Sequence, residues 1–172
     1  MKTQQILGIM KFLFWAIFIG LLIKAGAMIF TFGVAFVNPE GASNLYLGLD
    51  LSELRTSSKW EFIHVGSLLV FTLSLQAYIA YLVIKITTAG TLHRPFTQEI
   101  SVLLSKISHS ALGVGIISFI AQGYCERLVK NGIDIPLTWG AKEFLFLAGV
   151  IFIISKVFQR GVEMQTENEL TV

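Results

Sequence analysis

Three polar side chains interrupt the apolar stretches of this chain: Lys24, Gln76 and His109. An ammonium, a carboxamide and an imidazole can together hold an anionic ligand or couple ion movement. A lysine at the centre of a bilayer costs about 2.5–3.5 kcal/mol, so intramembrane charges usually have a function. Lys24 lies about 18 Å from the start of its apolar stretch, at 1.5 Å per residue. These residues are therefore the candidate intramembrane polar site.

Lys24 lies on a helical arc of small and weakly polar residues, which predicts that it faces other helices rather than lipid. The other members of the arc are Ala16, Gly20, Ala27 and Thr31. No Asp or Glu occurs at that depth. Two interpretations stay open: a tolerated lysine hydrogen-bonded by His109, a Tyr hydroxyl or a carbonyl, or a site that awaits an anionic ligand. Gln76 falls off the small-residue face of its helix.

Other classes of site are excluded by the residue types. The single Cys125 excludes an intrachain disulfide framework and any multi-cysteine metal site. His64 and His109 differ in predicted height, so they do not make a pair of haem ligands. No nucleotide loop, metalloprotease motif or nucleophile elbow is present. We therefore expect no catalytic residues, no cofactor, no metal and no enzymatic activity.

Composition identifies the class of protein that positions these residues. Hydrophobic residues make up 54% of the 172 residues and charged residues only 14%, where soluble domains carry about 25% charged residues. A spanning helix needs about 20 mostly apolar residues. Four stretches fit: 12–37, 60–86, 100–124 and 141–158, followed by a tail at 159–172. The predicted fold is a single all-α integral membrane domain, residues 1–172, with four transmembrane helices.

Small or weakly polar residues also recur along the other three stretches. They are His64, Ser67, Ser74, Tyr78 and Tyr81 in the second, Ser101, Ser108, Gly115 and Gln122 in the third, and Ala141, Ala148 and Ser155 in the fourth. Helices in a bilayer pack through such residues because lipid is as apolar as they are. These stripes predict the packing faces of the bundle.

The loops predict topology. With the N-terminus inside, seven Lys and Arg residues fall on the cytoplasmic side and five on the outer side. This bias predicts an inner-membrane protein with both termini in the cytoplasm. In the first outer loop, "NLYLGLDLSEL" places leucine at every second position from Leu45 to Leu51. Period two is typical of a strand, so we expect a short extended segment there.

Two cytoplasmic stretches suggest a family. They are "LHRPFTQEISVLLSKI" and "FQRGVEMQTENELTV". Together with the four-span layout they resemble the bacterial membrane family known as domain of unknown function 2975. That family has a Pro-Phe pair and a Ser or Thr before its third helix, and a Gly-containing amphipathic end that closes on acidic-Asn-acidic-Leu-Thr-Val. One departure is that only Lys106 supplies a base early in the third helix, where the family usually has more.

The resemblance implies a role rather than a reaction. Members of the family commonly lie beside a small helix-turn-helix transcription factor, which implies a sensor or tether with a cytosolic partner. The expected docking residues are Glu163, Glu167, Glu169, Leu170, Thr171 and Val172. A small transporter or channel subunit built around Lys24 is the alternative function, and a solvated helix end is the alternative for the tail. The other partners considered are membrane lipid and a second copy of the chain, without direct nucleic-acid contact.

Overall fold

A computed structural model describes residues 3–89 and 97–170, and most of these residues are helical. The α-helices are α1 (Thr3–Val37), α2 (Ser52–Ser57), α3 (Lys59–Ala89), α4 (Gln98–Lys130) and α5 (Ala141–Leu170). Two 3₁₀ turns, Pro39–Ser43 and Tyr46–Gly48, lie between α1 and α2. Over these described ranges no strand forms, which confirms the all-helical class.

Local sequence sets the helix ends. Asn38 and Pro39 follow the last residue of α1, and the Asn38 side chain accepts a hydrogen bond from Glu40 N at 3.2 Å. Proline has no backbone N–H to donate, and it pushes the residue before it toward extended backbone, so the helix ends here. At the start of α4, Ile100 N donates to Thr97 Oγ1 at 3.3 Å, which satisfies one of the free N–H groups of the first turn.

The long helices pack in chain order, each antiparallel to the next. In each pair of neighbours, residues later in one helix contact residues earlier in the other, which establishes this direction. The pairs are Phe18 with Tyr81, Phe32 with Phe62, His64 with Tyr124, Ser108 with Ala148, and Gly115 with Leu145. We call the end that carries segments 38–58 and 131–140 the cap end. The opposite end, where α1 begins and α5 ends, is the tail end.

Three helices in the described ranges are long and apolar enough to cross a membrane: Gln5–Val37, Lys59–Thr88 and Gln98–Lys130. They agree with the first three predicted spans and identify a membrane protein. The fourth predicted span, 141–158, falls within α5, which is not one of these three. Its charge-free apolar run extends only from Phe144 to Ser155, between Glu143 and Lys156.

The predicted extended segment in the first loop is wrong. Leu45 and Leu51 are buried, whereas Leu47 is 78% exposed, so the leucines do not share one face. Leu47 and Gly48 have positive φ angles of 62° and 75°. This left-handed pair makes a tight turn in which Leu45 N donates to Leu49 O at 2.9 Å. The turn breaks the period-two pattern on which the prediction depended.

The predicted packing stripes are confirmed in α4 and α5. Ser101, Ser108 and Gly115 are buried on α4, whereas Gln122, the fourth member of that stripe, is only half-buried. On α5, Ala141, Ala148 and Ser155 are all buried. Ser108 Oγ donates across the interface to Ala148 O at 3.2 Å. A Cβ at Gly115 would lie 2.8 Å from the Leu145 side chain, so this glycine allows close approach of the two helices.

The stripe predicted in α1 is confirmed only in part, and the stripe predicted in α3 is largely wrong. On α1, Ala16 and Gly20 are exposed, whereas Lys24, Ala27 and Thr31 are half-buried. All five members of the α3 stripe are exposed, although the rings of His64 and Tyr81 contact rings on neighbouring helices. One reason is that serine hydroxyls can bond their own helix. Ser67 Oγ donates to His64 O at 2.9 Å and Ser74 Oγ to Val70 O at 2.8 Å. Such hydroxyls need no partner on another helix.

Candidate functional site

At the cap end, α4 extends well beyond the start of α5. The contacts of Ser108 with Ala148 and of Gly115 with Leu145 set the register of the pair. That register places Ala141 beside about residue 118 of α4. About 12 residues of α4, or about 18 Å, therefore project past α5. The chain must return over this distance before α5 can begin.

Segment 131–140 makes that return. Asn131 and Gly132 end α4, and Gly132 has a φ of 89° that favours glycine. A second positive φ, 60° at Gly140, precedes the first turn of α5. Between the two glycines, Ile135 and Trp139 are buried in the apolar core of the cap end. The segment is thus packed along the projecting part of α4.

Segments 38–58 and 131–140 meet in this cap. The shared core contains Leu45, Leu51, Leu54, Phe62, Cys125, Leu128, Ile135 and Trp139. Glu53 Oε2 accepts a hydrogen bond from Asp134 N at 2.9 Å, which joins the two segments directly. The cap is therefore a small ordered unit that connects the ends of α1, α3, α4 and α5.

A cavity of about 860 Å³ lies between the projecting part of α4, segment 131–140 and the first turn of α5. Its volume falls in the range of small-molecule sites, about 300–1,000 Å³. Its charged and amide-bearing lining residues are Gln76, Gln122, Glu126, Lys130, Lys142 and Glu143. Apolar side chains, among them Val129, Leu137 and Phe144, make up other parts of the wall.

The charges of the cavity are balanced and not paired with one another. Two carboxylates and two ammonium groups line it, yet no ion pair involves them within residues 3–89 and 97–170. Glu126 Oε1 accepts a hydrogen bond from Gln122 Nε2 at 3.0 Å instead. The wall can therefore offer both donors and acceptors of charge-assisted hydrogen bonds to a ligand.

Trp139 adds a buried donor to the same wall. Its side chain is only 8% exposed, and its indole N–H has no hydrogen-bond partner in the described part of the chain. The thiol of Cys125, a weak acceptor, lies beside it. Buried polar groups nearly always have a partner, so an orphaned N–H in a cavity wall calls for an explanation.

The three residues of the predicted intramembrane site are not joined by hydrogen bonds. Lys24 is half-buried on α1 and forms no hydrogen bond or ion pair with the described residues. His109 is exposed on α4, where its Nδ1–H donates to Ser105 O of the same helix at 2.7 Å. Gln76 lines the cavity instead. The structure therefore groups Gln76 with the cap-end residues.

Sequence reasoning missed the remaining cavity residues. Glu126, Lys130, Lys142 and Glu143 flank apolar stretches, where charged residues are expected at the ends of any span. One signal was present, since Gln122, Glu126 and Lys130 recur every four residues and so share a helix face. Nothing in the local sequence indicates that segment 131–140 folds back to close the wall.

The tail end carries the predicted docking residues. Glu163 and Glu167 are exposed on α5, and Met164 between them is 54% exposed. Arg160 Nη1 donates to Glu163 Oε2 at 3.0 Å, and this contact raises the pKa of Arg160. Glu169 and Leu170 belong to the last turn of α5. Thr171 and Val172 lie outside the described residues.

Comparison with known proteins gives one match. A family model described as "Protein of unknown function (DUF2975)" matches residues 46–172, from the second 3₁₀ turn to the last residue. No curated protein and no solved structure matches the chain. The matched region contains α2 to α5, and thus the cavity and the docking residues, while α1 lies outside it.

Proposed function

The chain belongs to the DUF2975 family of proteins of unknown function, and we propose that it is a membrane sensor or tether for a cytosolic helix-turn-helix regulator. In this proposal α5 is a fourth span, the tail end faces the bacterial cytoplasm and the cap end lies outside the inner membrane. The excess of Lys and Arg predicted for the tail side supports that orientation. The protein binds and positions; it catalyses no reaction.

The continuity of α5 is the observation that carries this proposal. Its 30 residues form one helix, which corresponds to about 45 Å. Ala141, Lys142 and Glu143 at its start line the cavity, while Glu163 and Glu167 lie exposed near its end. One rigid element therefore links a cavity on one side with an acidic surface on the other. A shift of the first turn is transmitted to the last.

The chemistry of the tail fits a basic partner. Exposed carboxylates attract the positive surface of a DNA-binding protein and steer its approach. Exposed Met164 offers apolar contact beside them. The docking surface in this proposal consists of Glu163, Glu167, Glu169, Leu170, Thr171 and Val172.

Co-purification from gentle detergent tests the docking step. Deleting residues 167–172 should leave the unfolding temperature of the membrane domain unchanged, because a helix terminus contributes little to stability. It should release the helix-turn-helix protein that co-purifies with the full chain. Replacing Glu163 by Gln should weaken retention of the partner at low salt. The difference from the wild type should shrink at high salt, where charge attraction is screened.

Glu99→Gln is the matched control, since Glu99 is an exposed acid at the same end of the bundle but on α4. This variant should retain the partner at wild-type yield. Retention of the partner by the truncated chain at full yield would show that the tail is a solvated helix end.

Reporter fusions test the topology. A cytoplasmically active reporter fused after Val172 should be functional, and a periplasmically active one should not. The opposite pattern would place the tail end outside and exclude a cytosolic partner. The same fusions at Asn131, in the cap, should give the reverse result.

A transporter or channel subunit built around Lys24 is the second candidate. The half-buried Lys24, without a partner in the described ranges, supports it. It has less support than the tether, because Gln76 lines the cap-end cavity and His109 bonds its own helix. The three residues do not form one site along a path through the bundle.

A further inference from the structure

We propose that the cap-end cavity binds the zwitterionic headgroup of an aminophospholipid. The ammonium group is held by Glu126 and Glu143, and the phosphate by Lys130 and Lys142. The role of this lipid as the ligand that the sensor detects rests on the proposed function. Its chemistry depends only on the cavity.

The charge pattern selects a ligand that carries both signs. A purely anionic ligand would leave two carboxylates in the wall opposite their own charge, and a cation would do the same to the two lysines. Glu126 and Lys130 stand four residues apart on α4, a spacing at which ion pairs form readily. They form none, and Glu126 is held by Gln122 instead. A zwitterion satisfies both signs at once.

The indole of Trp139 supports the phosphate half of the assignment. Trp139 belongs to the wall of the cavity, and its buried N–H has no nitrogen or oxygen acceptor in the described part of the chain, where only the weakly accepting thiol of Cys125 lies beside it. A phosphate oxygen is a strong acceptor for such a donor. The same N–H has no role toward an ammonium group, which carries only donors.

The position of the cavity relative to the apolar part of α5 supports a lipid as the source. Lys142 and Glu143 line the cavity, and the apolar run of α5 begins with the next residue, Phe144. With α5 as a span, as proposed above, the boundary between hydrocarbon and headgroups falls at the cavity. An aminophospholipid can place its headgroup among the charges while its chains stay beside Phe144. Soluble O-phosphoethanolamine shares the headgroup chemistry but has no acyl chains that could lie beside Phe144.

Native mass spectrometry of the full purified chain in detergent tests the site. Three probes are titrated: phosphatidylethanolamine, phosphatidylglycerol and O-phosphoethanolamine. Phosphatidylethanolamine should bind most tightly. Glu143→Gln and Lys142→Gln should each weaken its binding about tenfold, which corresponds to one lost charge-assisted hydrogen bond. Trp139→Phe should weaken it by a smaller factor while the fold is kept.

Two exposed charges at the same end provide controls. Lys59→Gln and Glu40→Gln lie outside the cavity and should leave the affinity unchanged. Tight binding of O-phosphoethanolamine that is lost in the cavity variants would support the same headgroup site with a soluble source. Equal binding of phosphatidylglycerol, with no effect of Glu143→Gln, would overturn the zwitterion assignment. So would equal affinities in cavity and control variants.

This measurement contains no regulator. Failure of lipid binding therefore leaves the docking proposal standing, and failure of co-purification leaves the lipid site standing.

Discussion

The pair formed by α4 and α5 and the pair formed by α1 and α3 are held together by different kinds of residue. Between α4 and α5, small residues at seven-residue spacing bring the backbones together, and Ser108 bonds Ala148 across the gap. Between α1 and α3, aromatic rings fill the space. The tilted rings of Phe32 and Phe62 have centroids 4.8 Å apart, and those of Phe18 and Tyr81 have centroids 5.9 Å apart.

This difference indicates the condition under which a stripe of small residues correctly predicts a helix interface. In α4 and α5 both partners carry such a stripe, and each stripe repeats at the same interval. In α1 and α3 the stripes include aromatic or charged members, and the serines of α3 bond their own backbone. Small residues on one helix are thus insufficient; the partner must present a matching set.

A second difference concerns the cap, on which α1 depends. The most apolar window of α1 has no buried residue in it, and the buried residues of this helix, Ala25, Met28 and Ala35, all lie nearer the cap. Arg55 of α2 is 4% exposed, and its guanidinium donates to Ala35 O at 3.1 Å and to Phe36 O at 2.9 Å. These bonds satisfy free carbonyls at the end of α1, where the helix dipole favours a cation.

Removing these two hydrogen bonds of Arg55, here called the Arg55 clamp, should cause the largest loss of stability. Arg55→Met should lower the free energy of unfolding by about 3 kcal/mol, because two charge-assisted hydrogen bonds are lost at a buried site. Thermal unfolding in detergent measures the change. Arg127→Met, which removes an exposed arginine at the same end, should have little effect. Equal losses in both variants would show that α1 does not depend on the clamp.

Two glycines of α4 test the close approach of α4 and α5. Gly115→Ala should destabilise the protein by about 1–3 kcal/mol, the range for overpacking. Its Cβ would lie 2.8 Å from the Leu145 side chain and 3.1 Å from Leu145 N. Gly113 has open space at its Cβ, so Gly113→Ala should be neutral or stabilising by up to about 1 kcal/mol. Equal unfolding temperatures would contradict the register of this pair.

The smallest expected loss of stability concerns two serines, one that bonds a neighbouring helix and one that bonds its own helix. Ser108→Ala should cost about 1 kcal/mol, the net value of a typical hydrogen bond, because the bond to Ala148 joins two helices. Ser74→Ala removes a bond within α3 and should leave stability unchanged, since the Val70 carbonyl keeps its place in the helix. A larger loss for Ser74 would indicate that its exposed face packs against a second copy of the chain.

Much of the helical layout follows from local residues. Apolar length predicts α1, α3 and most of α4, Pro39 predicts the end of α1, and Thr97 predicts the start of α4. The last turns of α4 were missed because Glu126, Arg127 and Lys130 end its apolar stretch. Those residues are good helix formers, so the helix continues without the apolar signal.

The cap and the cavity could not be predicted in the same way. They depend on contacts such as that between Glu53 and Asp134, which are 81 residues apart in the chain. Among the polar residues of the wall, only Gln76 was recognised as a site residue. Its proposed partners, Lys24 and His109, lie elsewhere. A polar residue in an apolar stretch indicates that a site exists. Which residues it meets there depends on the rotation of each helix about its own axis.

The short apolar run of α5 has a consequence for the surrounding lipid. From Phe144 to Ser155 the helix covers about 18 Å, whereas the hydrocarbon core of a bilayer is about 30 Å thick. With α5 as a span, the wall of the bundle has a lower hydrophobic height on that side than along α1, α3 and α4. Such mismatch is relieved by local thinning or by long side chains, such as Lys156, that reach to the interface. A bilayer of smaller hydrophobic thickness therefore fits the α5 side better, and the protein should accumulate where the membrane is thin.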